Sequence, residues 1–113
     1  MFNRLEKEIF RWIQSKFPDS AISRQLDTAK LKQREWTKVG FYIEFQVDQG
    51  LEKWDRASPI NGPDVESKDI HHGGGSLLWG EDGYLSCLEL YAYGDFFREE
   101  VGEFRLPNVE DHD

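Results

Sequence analysis

The chain of 113 residues has a single cysteine, Cys87, and so lacks the pair that an internal disulfide requires. It also has no apolar run near the roughly 18 residues of a membrane span. Its N-terminal segment is charged and amphipathic, unlike the apolar centre of a signal peptide. Because disulfides belong to oxidising compartments, these absences predict a cytoplasmic protein that makes no contact with membranes.

Basic residues are scarce in the second half of the chain. Residues 64–113 contain 3 Lys/Arg and 13 Asp/Glu, a net charge of −10, whereas residues 1–63 carry 11 Lys/Arg and 9 Asp/Glu, a net charge of +2. So acidic a segment repels phosphate backbones, which argues against binding of nucleic acid through its surface. It would instead attract a basic partner, although an acidic surface also serves solubility alone.

Aromatic residues are abundant. They make up 14% of the chain, and 38% of the chain is hydrophobic, which predicts one packed domain over residues 1–113. A stripe of apolar residues at steps of three and four predicts an amphipathic helix over residues 2–17, which Pro18 ends. The stripe consists of Phe2, Leu5, Ile9, Ile13 and Phe17.

The clearest strand covers residues 41–47, where apolar and polar residues alternate. The apolar face, which we expect to pack on the helix, consists of Phe41, Ile43, Phe45 and Val47. Residues 31–36 predict a strand before it. Further on, Asp82-Gly83 between apolar runs signals a hairpin, because glycine accepts the positive φ of such turns. A helix followed by consecutive strands predicts an α+β fold, with an N-terminal helix packed on one face of an antiparallel sheet of about four to six strands.

The remaining segments are less regular. Residues 19–29 fit either a helical turn or a short strand. Residues 49–63 predict a long loop that Trp54 and Ile60 anchor, because two prolines and an Asn-Gly pair interrupt it. Residues 64–70 predict one further strand.

The C-terminal part carries few structural signals. Three apolar residues in an acidic stretch are candidates for packing, namely Val101, Phe104 and Leu106. Residues 107–113 predict a frayed acidic tail.

Glu89 is the one charged residue in the predicted strand after the hairpin turn. Alternation assigns Leu88 and Leu90 to the core and Glu89 to the other face. The same alternation gives Glu89 the face neighbours Leu85, Cys87, Tyr91 and Tyr93. A carboxylate among aromatic rings is either paired with a cation or has a raised pKa, and Arg34 is the only arginine inside a predicted strand. We therefore expect a bidentate Arg34–Glu89 ion pair, with a place for Glu89 in a ligand pocket or as a catalytic acid as the alternatives.

Aromatic residues around Glu89 either belong to the core or form a binding face. They are Tyr42, Tyr91, Tyr93, Trp36 and Trp79. The candidate binding residues are therefore Arg34, Tyr42, Glu89, Tyr91 and Tyr93.

No catalytic residue, metal or cofactor follows from the remaining motifs. His71 and His72 point to opposite faces of a strand, and no third ligand stands at a recognisable spacing. Gly73-Gly74-Gly75 lacks the lysine and the helix of a phosphate loop. Cys87 lies in the middle of a strand and is interpreted as a buried thiol rather than a nucleophile.

Two stretches resemble motifs of a group of small bacterial proteins. Residues 34–41 read Arg-Glu-Trp-Thr-Lys-Val-Gly-Phe and are similar to that group's Arg-Glu-x-Thr-x-Val-Gly-Phe strand pair. Residues 82–91 are similar to its Asp-Gly-x-Leu-x-x-Leu-Glu-x-Tyr hairpin. The group has no assigned activity, so the resemblance implies a shared scaffold and no catalytic residues. That scaffold would include Arg34, Gly40, Gly83 and Glu89.

The sequence thus favours a non-enzymatic binding protein, an acidic partner that neutralises a basic protein such as a toxin. Immunity proteins against secreted toxins have this size and charge, which is an analogy without regard to fold. The alternative is a small-molecule-binding or minimal enzymatic domain with an aromatic cleft around Glu89. An enclosed apolar pocket at Glu89 would favour that alternative.

Overall fold

The computed structural model describes residues 1–94 and 96–107. Its elements in chain order are α1 (Arg4–Lys16), α2 (Ala21–Thr28), β1 (Lys30–Trp36), β2 (Gly40–Gln46), β3 (Ile60–Asn61), β4 (Val65–Ser67), β5 (Ile70–Glu81) and β6 (Tyr84–Ala92). The strands form one antiparallel sheet in the order β1-β2-β6-β5-β3, and β4 also pairs with β5. The predicted α+β class is confirmed, and neither of these helices is long and apolar enough to cross a membrane.

α1 begins at a capping box. The Asn3 side chain accepts a hydrogen bond from the Glu6 N–H at 2.9 Å, and the Glu6 carboxylate accepts one from the Asn3 N–H at 2.9 Å. The predicted helix is therefore present, but it begins two residues later and ends one residue earlier than the predicted range 2–17. Its apolar side is buried against β2, where the ring of Phe10 lies 5.7 Å from the ring of Phe45.

The predicted orientation of the second strand is confirmed. Phe41, Ile43 and Phe45 of β2 are buried on the side of α1, whereas Val47 lies beyond the end of the strand and is partly buried. The ambiguous segment 19–29 contains α2, because the Ser20 hydroxyl caps its first turn.

A two-residue turn joins β5 and β6, as predicted. Asp82 has φ 53° and Gly83 has φ 86°, so both central residues are left-handed. Such turns match the twist of the strands that they connect.

Replacing Gly83 by Val should lower the free energy of unfolding by about 1–2 kcal/mol, because a β-branched residue is strained at positive φ. The side chain would also press on Lys53, whose Cβ lies 2.6 Å from the place of a Cβ at residue 83. Urea unfolding measures this loss. Gly102→Val is the matched control, since Gly102 is exposed and has an ordinary φ. Equal losses in the two variants would contradict the turn argument.

Three parts of the sheet differ from the sequence-based interpretation. Residues 64–70 are not one strand, because a turn after Ser67 folds β4 back onto the start of β5. The predicted loop 49–63 contains β3, although Trp54 and Ile60 are buried as expected of anchors.

The third difference concerns Leu85, which is buried in the core rather than placed beside Glu89. Trp79 pairs with Cys87, whereas Gly80 pairs with Leu85, so β6 contains one extra residue at this point. A bulge of this kind moves the residues beyond it to the opposite face.

The segment after β6 returns over the α1 side of the sheet. Phe97 is fully buried and its ring meets that of Phe41 at 5.7 Å and 87°. Further along, Arg105 and Glu66 form an antiparallel bridge. The three predicted packing residues Val101, Phe104 and Leu106 are partly buried against the core. Of the predicted tail, Pro107 is buried and residues 108–113 lie outside the described part.

Candidate functional site

The sheet has a covered face and an open face. The covered face carries Phe41, Ile43, Leu88 and Leu90, which are buried beneath the helices and Phe97. The register of the strands places every second residue on the opposite face. We call this the open face, and its central residues are Glu35, Tyr42, Glu44, Leu77, Trp79, Cys87, Glu89, Tyr91 and Tyr93.

Tyr42 stands at the centre of the carboxylates of the open face. Its side chain is 43% exposed. It pairs directly with Glu35 of β1 on one side and with Glu89 of β6 on the other, and Glu44 follows two residues along β2. Cross-strand neighbours have Cβ atoms about 5 Å apart. Three glutamates are therefore the sheet neighbours of this exposed aromatic residue on the open face.

Glu89 is held by an indole rather than by a cation. The Nε1–H of Trp79 donates to Glu89 Oε1 at 3.0 Å, and the Trp79 side chain is 38% exposed. None of the ion pairs within the described residues includes Glu89 or Glu35. Neither carboxylate therefore has a direct ion-pair partner among the described residues.

Tyr91 and Tyr93 form an aromatic pair at one end of the open face. Their ring centroids lie 5.6 Å apart at 75°. Both rings extend over Gly75, where a Cβ would come within 2.6 Å of the two phenol oxygens. The Tyr93 hydroxyl donates to Asp64 Oδ1 at 2.7 Å. Burial, then this hydrogen bond, raises the pKa of Tyr93, so the phenol stays protonated at neutral pH.

Cys87 lies between Glu44 and Glu89 on the open face. Burial, together with the charges of these two carboxylates and against a lowering hydrogen bond from the backbone, raises the pKa of its thiol to about 11. A thiol with this pKa remains protonated at neutral pH. The local chemistry therefore does not favour a nucleophile.

The predicted ion pair between Arg34 and Glu89 is wrong. Arg34 pairs in the sheet with Ile43, whereas Glu89 pairs with Tyr42. Ile43 and Tyr42 are consecutive residues of one strand and point to opposite faces. Arg34 therefore lies on the covered face, and the sheet separates it from Glu89.

Arg34 instead binds Glu6 of α1. Its Nε donates to Glu6 Oε2 at 2.7 Å and its Nη2 to Glu6 Oε1 at 2.6 Å. The Glu6 side chain is 1% exposed, so this bidentate pair is buried at its acidic end. The hydrogen bonds and the charge of Glu6 raise the pKa of Arg34, against a lowering by burial. The arginine joins the helix to the edge strand and does not belong to the open face.

Trp36 also lies away from the other candidate aromatic residues. It pairs with Phe41 on the covered face, and its Nε1–H donates to the Phe97 carbonyl oxygen at 2.7 Å. The structure thus brings together Tyr42, Trp79, Glu89, Tyr91 and Tyr93 and separates Arg34 and Trp36 from them. Sequence reasoning missed Glu35, Glu44 and Asp64, because only the strand register shows which carboxylates adjoin the aromatic residues.

Within the described residues, His71 and His72 do not belong to a metal-binding group. The rings of His71 and His72 lie 4.3 Å apart. Within residues 1–94 and 96–107, no group of three His, Cys, Asp or Glu side chains is arranged to hold a metal ion.

Two cavities adjoin the C-terminal segment, away from the open face. One, of about 320 Å³, lies between the start of α1, the sheet and Phe97. The other, of about 630 Å³, lies beside Trp36 and Phe96 and opens widely to solvent. Neither is lined by Glu89, Tyr42, Tyr91 or Tyr93. Glu89 therefore belongs to a surface rather than to either cavity.

In comparisons with known proteins, no family model, no curated protein and no solved structure matches the chain.

Proposed function

We propose that the protein binds a basic protein through the open face of its sheet and that this binding, rather than catalysis, is its function. The observation that carries the proposal is the exposed ring of Tyr42 between the carboxylates of Glu35 and Glu89. The few residues that dominate binding energy in protein interfaces are enriched in Tyr, Trp and Arg. Uncompensated carboxylates beside them favour a partner of positive charge.

The open face suits a macromolecule better than a small ligand. Tyr42, Trp79 and Tyr93 are each exposed by 38–43% and stand on three strands or their ends. A small ligand needs a concave site that encloses most of its surface, and Glu89 lines neither cavity described above. The backbone of these strands is already ordered by pairing in the sheet, so binding at this face needs no ordering of the backbone, which favours affinity.

The charge of the chain supports the same choice of partner. The net charge is −8, and the acidic residues concentrate beyond residue 63. Such a field accelerates association with a basic protein and opposes association with nucleic acid. The size and the charge of the chain favour one form of this function, the neutralisation of a basic protein such as a toxin in the cytoplasm. By binding the toxin, the chain would cover the toxin's basic surface.

The test is capture from an extract of the source organism on the immobilised protein, followed by binding measurements with the purified captured protein. We expect wild-type protein to retain proteins with pI above about 9, and their affinity to fall as NaCl rises from low to physiological concentration. A Tyr42→Ala/Trp79→Ala variant should lose this capture, since it removes aromatic area from the open face without changing the charge.

Phe96→Ala is the matched control, because it removes an exposed aromatic side chain beside Trp36, away from the open face. Capture that the control loses and the open-face variant keeps would contradict the proposal. A captured toxin should lose its activity when the wild-type protein is bound, and a fully active complex would contradict neutralisation.

A further inference from the structure

The open face contains a subsite whose chemistry is more specific than a general attraction to positive charge. We propose that it binds an arginine side chain of the partner, with the guanidinium lying over the ring of Tyr42 and between the carboxylates of Glu35 and Glu89. This inference rests on the proposed function and names the group that the partner must present.

The first argument is the order of the three side chains across the sheet. Glu35, Tyr42 and Glu89 are directly paired on β1, β2 and β6. Adjacent strands lie about 4.8 Å apart, so the backbones of Glu35 and Glu89 lie about 10 Å apart on either side of Tyr42. Glutamate side chains are long enough to approach a planar group placed on that ring from both sides.

The second argument is that the two carboxylates are available. Glu35 is exposed and forms no ion pair among the described residues, and Glu89 is half-buried with Trp79 as its hydrogen-bond donor. The indole N–H fixes the Glu89 carboxylate but brings no charge. Each carboxylate oxygen has two lone pairs, so Oε1 and Oε2 of Glu89 still accept hydrogen bonds from a ligand.

The third argument distinguishes arginine from lysine. A guanidinium is planar, stacks on an aromatic face and carries five N–H donors in its plane, which reach carboxylates on both sides. A lysine ammonium is a compact and strongly hydrated charge without such a plane. The arrangement of one ring between two carboxylates matches the guanidinium in both shape and donor pattern.

The experiment is a titration of ¹⁵N-labelled protein with N-acetyl-argininamide and, in parallel, with N-acetyl-lysinamide. The indole N–H of Trp79 reports on Glu89, and its resonance is identified by its absence in Trp79→Phe. We expect argininamide to shift this resonance and the Tyr42 amide in a saturable way. Lysinamide should bind about fivefold more weakly.

Matched variants locate the binding. Glu35→Gln, Glu89→Gln and Tyr42→Leu should each weaken argininamide binding, whereas Glu99→Gln, on the C-terminal segment beside the covered face, should leave it unchanged. Each variant changes a surface side chain, and its spectrum shows directly whether the fold is kept.

The outcomes separate this inference from the proposed function. Equal binding of the two amides at the open face would overturn the choice of arginine and leave a basic partner in place. Absence of shifts at Tyr42 and Trp79, together with capture of a basic protein that Tyr42→Ala/Trp79→Ala abolishes, would overturn the arginine subsite alone. Absence of both would overturn the inference and the proposed function.

Discussion

An Arg34→Met variant should unfold with a free energy about 3–5 kcal/mol lower than that of the wild type, because it leaves a buried carboxylate without its cation. Glu6 is 1% exposed and receives two hydrogen bonds from Arg34. Its remaining donor is the Asn3 N–H of the capping box. One neutral hydrogen bond cannot replace the interaction with a guanidinium at a carboxylate that is 1% exposed.

The two partners should not be equivalent. Arg34 is 28% exposed and also donates to the Met1 carbonyl oxygen, so it can reach water when Glu6 is replaced. Glu6→Gln should therefore cost less than Arg34→Met, and the double variant should recover part of the larger loss.

Denaturant unfolding of the three variants measures this coupling. Arg11→Met is the control, since Arg11 forms an exposed pair with Glu8 on the same helix and its loss should cost no more than about 0.5 kcal/mol. Additive losses in the Glu6 and Arg34 variants would show that the two side chains are not coupled in the folded state, which would contradict this prediction.

A Gln25→Leu variant should lose about 2–6 kcal/mol of unfolding free energy, because it leaves the Glu52 carbonyl oxygen and the Leu85 N–H without partners at about 1–3 kcal/mol each. The Gly83 carbonyl oxygen keeps its hydrogen bond from the Trp54 N–H. The Gln25 side chain is fully buried. Its Nε2 donates to the carbonyl oxygens of Glu52 at 2.8 Å and Gly83 at 3.0 Å, and its Oε1 accepts from the Leu85 N–H at 2.9 Å. Leu is close in size, so the loss reports on hydrogen bonds rather than on a cavity.

Hydrogen exchange distinguishes this mechanism from general destabilisation. The Leu85 amide should exchange faster in Gln25→Leu relative to the other amides of β6. The control is Gln33→Leu on the exposed edge strand, with an expected change within about 0.5 kcal/mol. A Gln25→Leu variant as stable as this control would mean that the backbone groups find other partners.

The sequence predicted the elements whose signals are local. The apolar stripe from Phe2 to Phe17 predicted α1, since apolar residues that recur with a period near 3.6 are typical of an amphipathic α-helix. Alternation from Phe41 to Phe45 gave β2 and its buried face, and Asp82-Gly83 gave the hairpin. These patterns depend on residues close in the chain, so no knowledge of their partners was needed.

The bulge in β6 shows where local patterns end. Alternation placed Leu85 beside Glu89, but one extra residue on β6 turns Leu85 into the core, where Gln25 binds its amide. A bulge is defined by how a strand pairs with its neighbour, since one strand has one residue more than the other at that point. The alternation of residues within β6 alone therefore cannot predict it.

What the sequence by itself determined is therefore the class of the fold and the side of β2 that is buried. Which ion pair forms was decided by the tertiary structure, since Arg34 and Glu89 have suitable chemistry but lie on opposite faces once the strands are in register. Glu6 becomes the partner of Arg34 because the packing of α1 on the sheet brings the two together from distant parts of the chain. The gathering of Glu35, Tyr42 and Glu89 depends in the same way on strand pairing, because each comes from a different strand and neighbours in a sheet need not be neighbours in sequence.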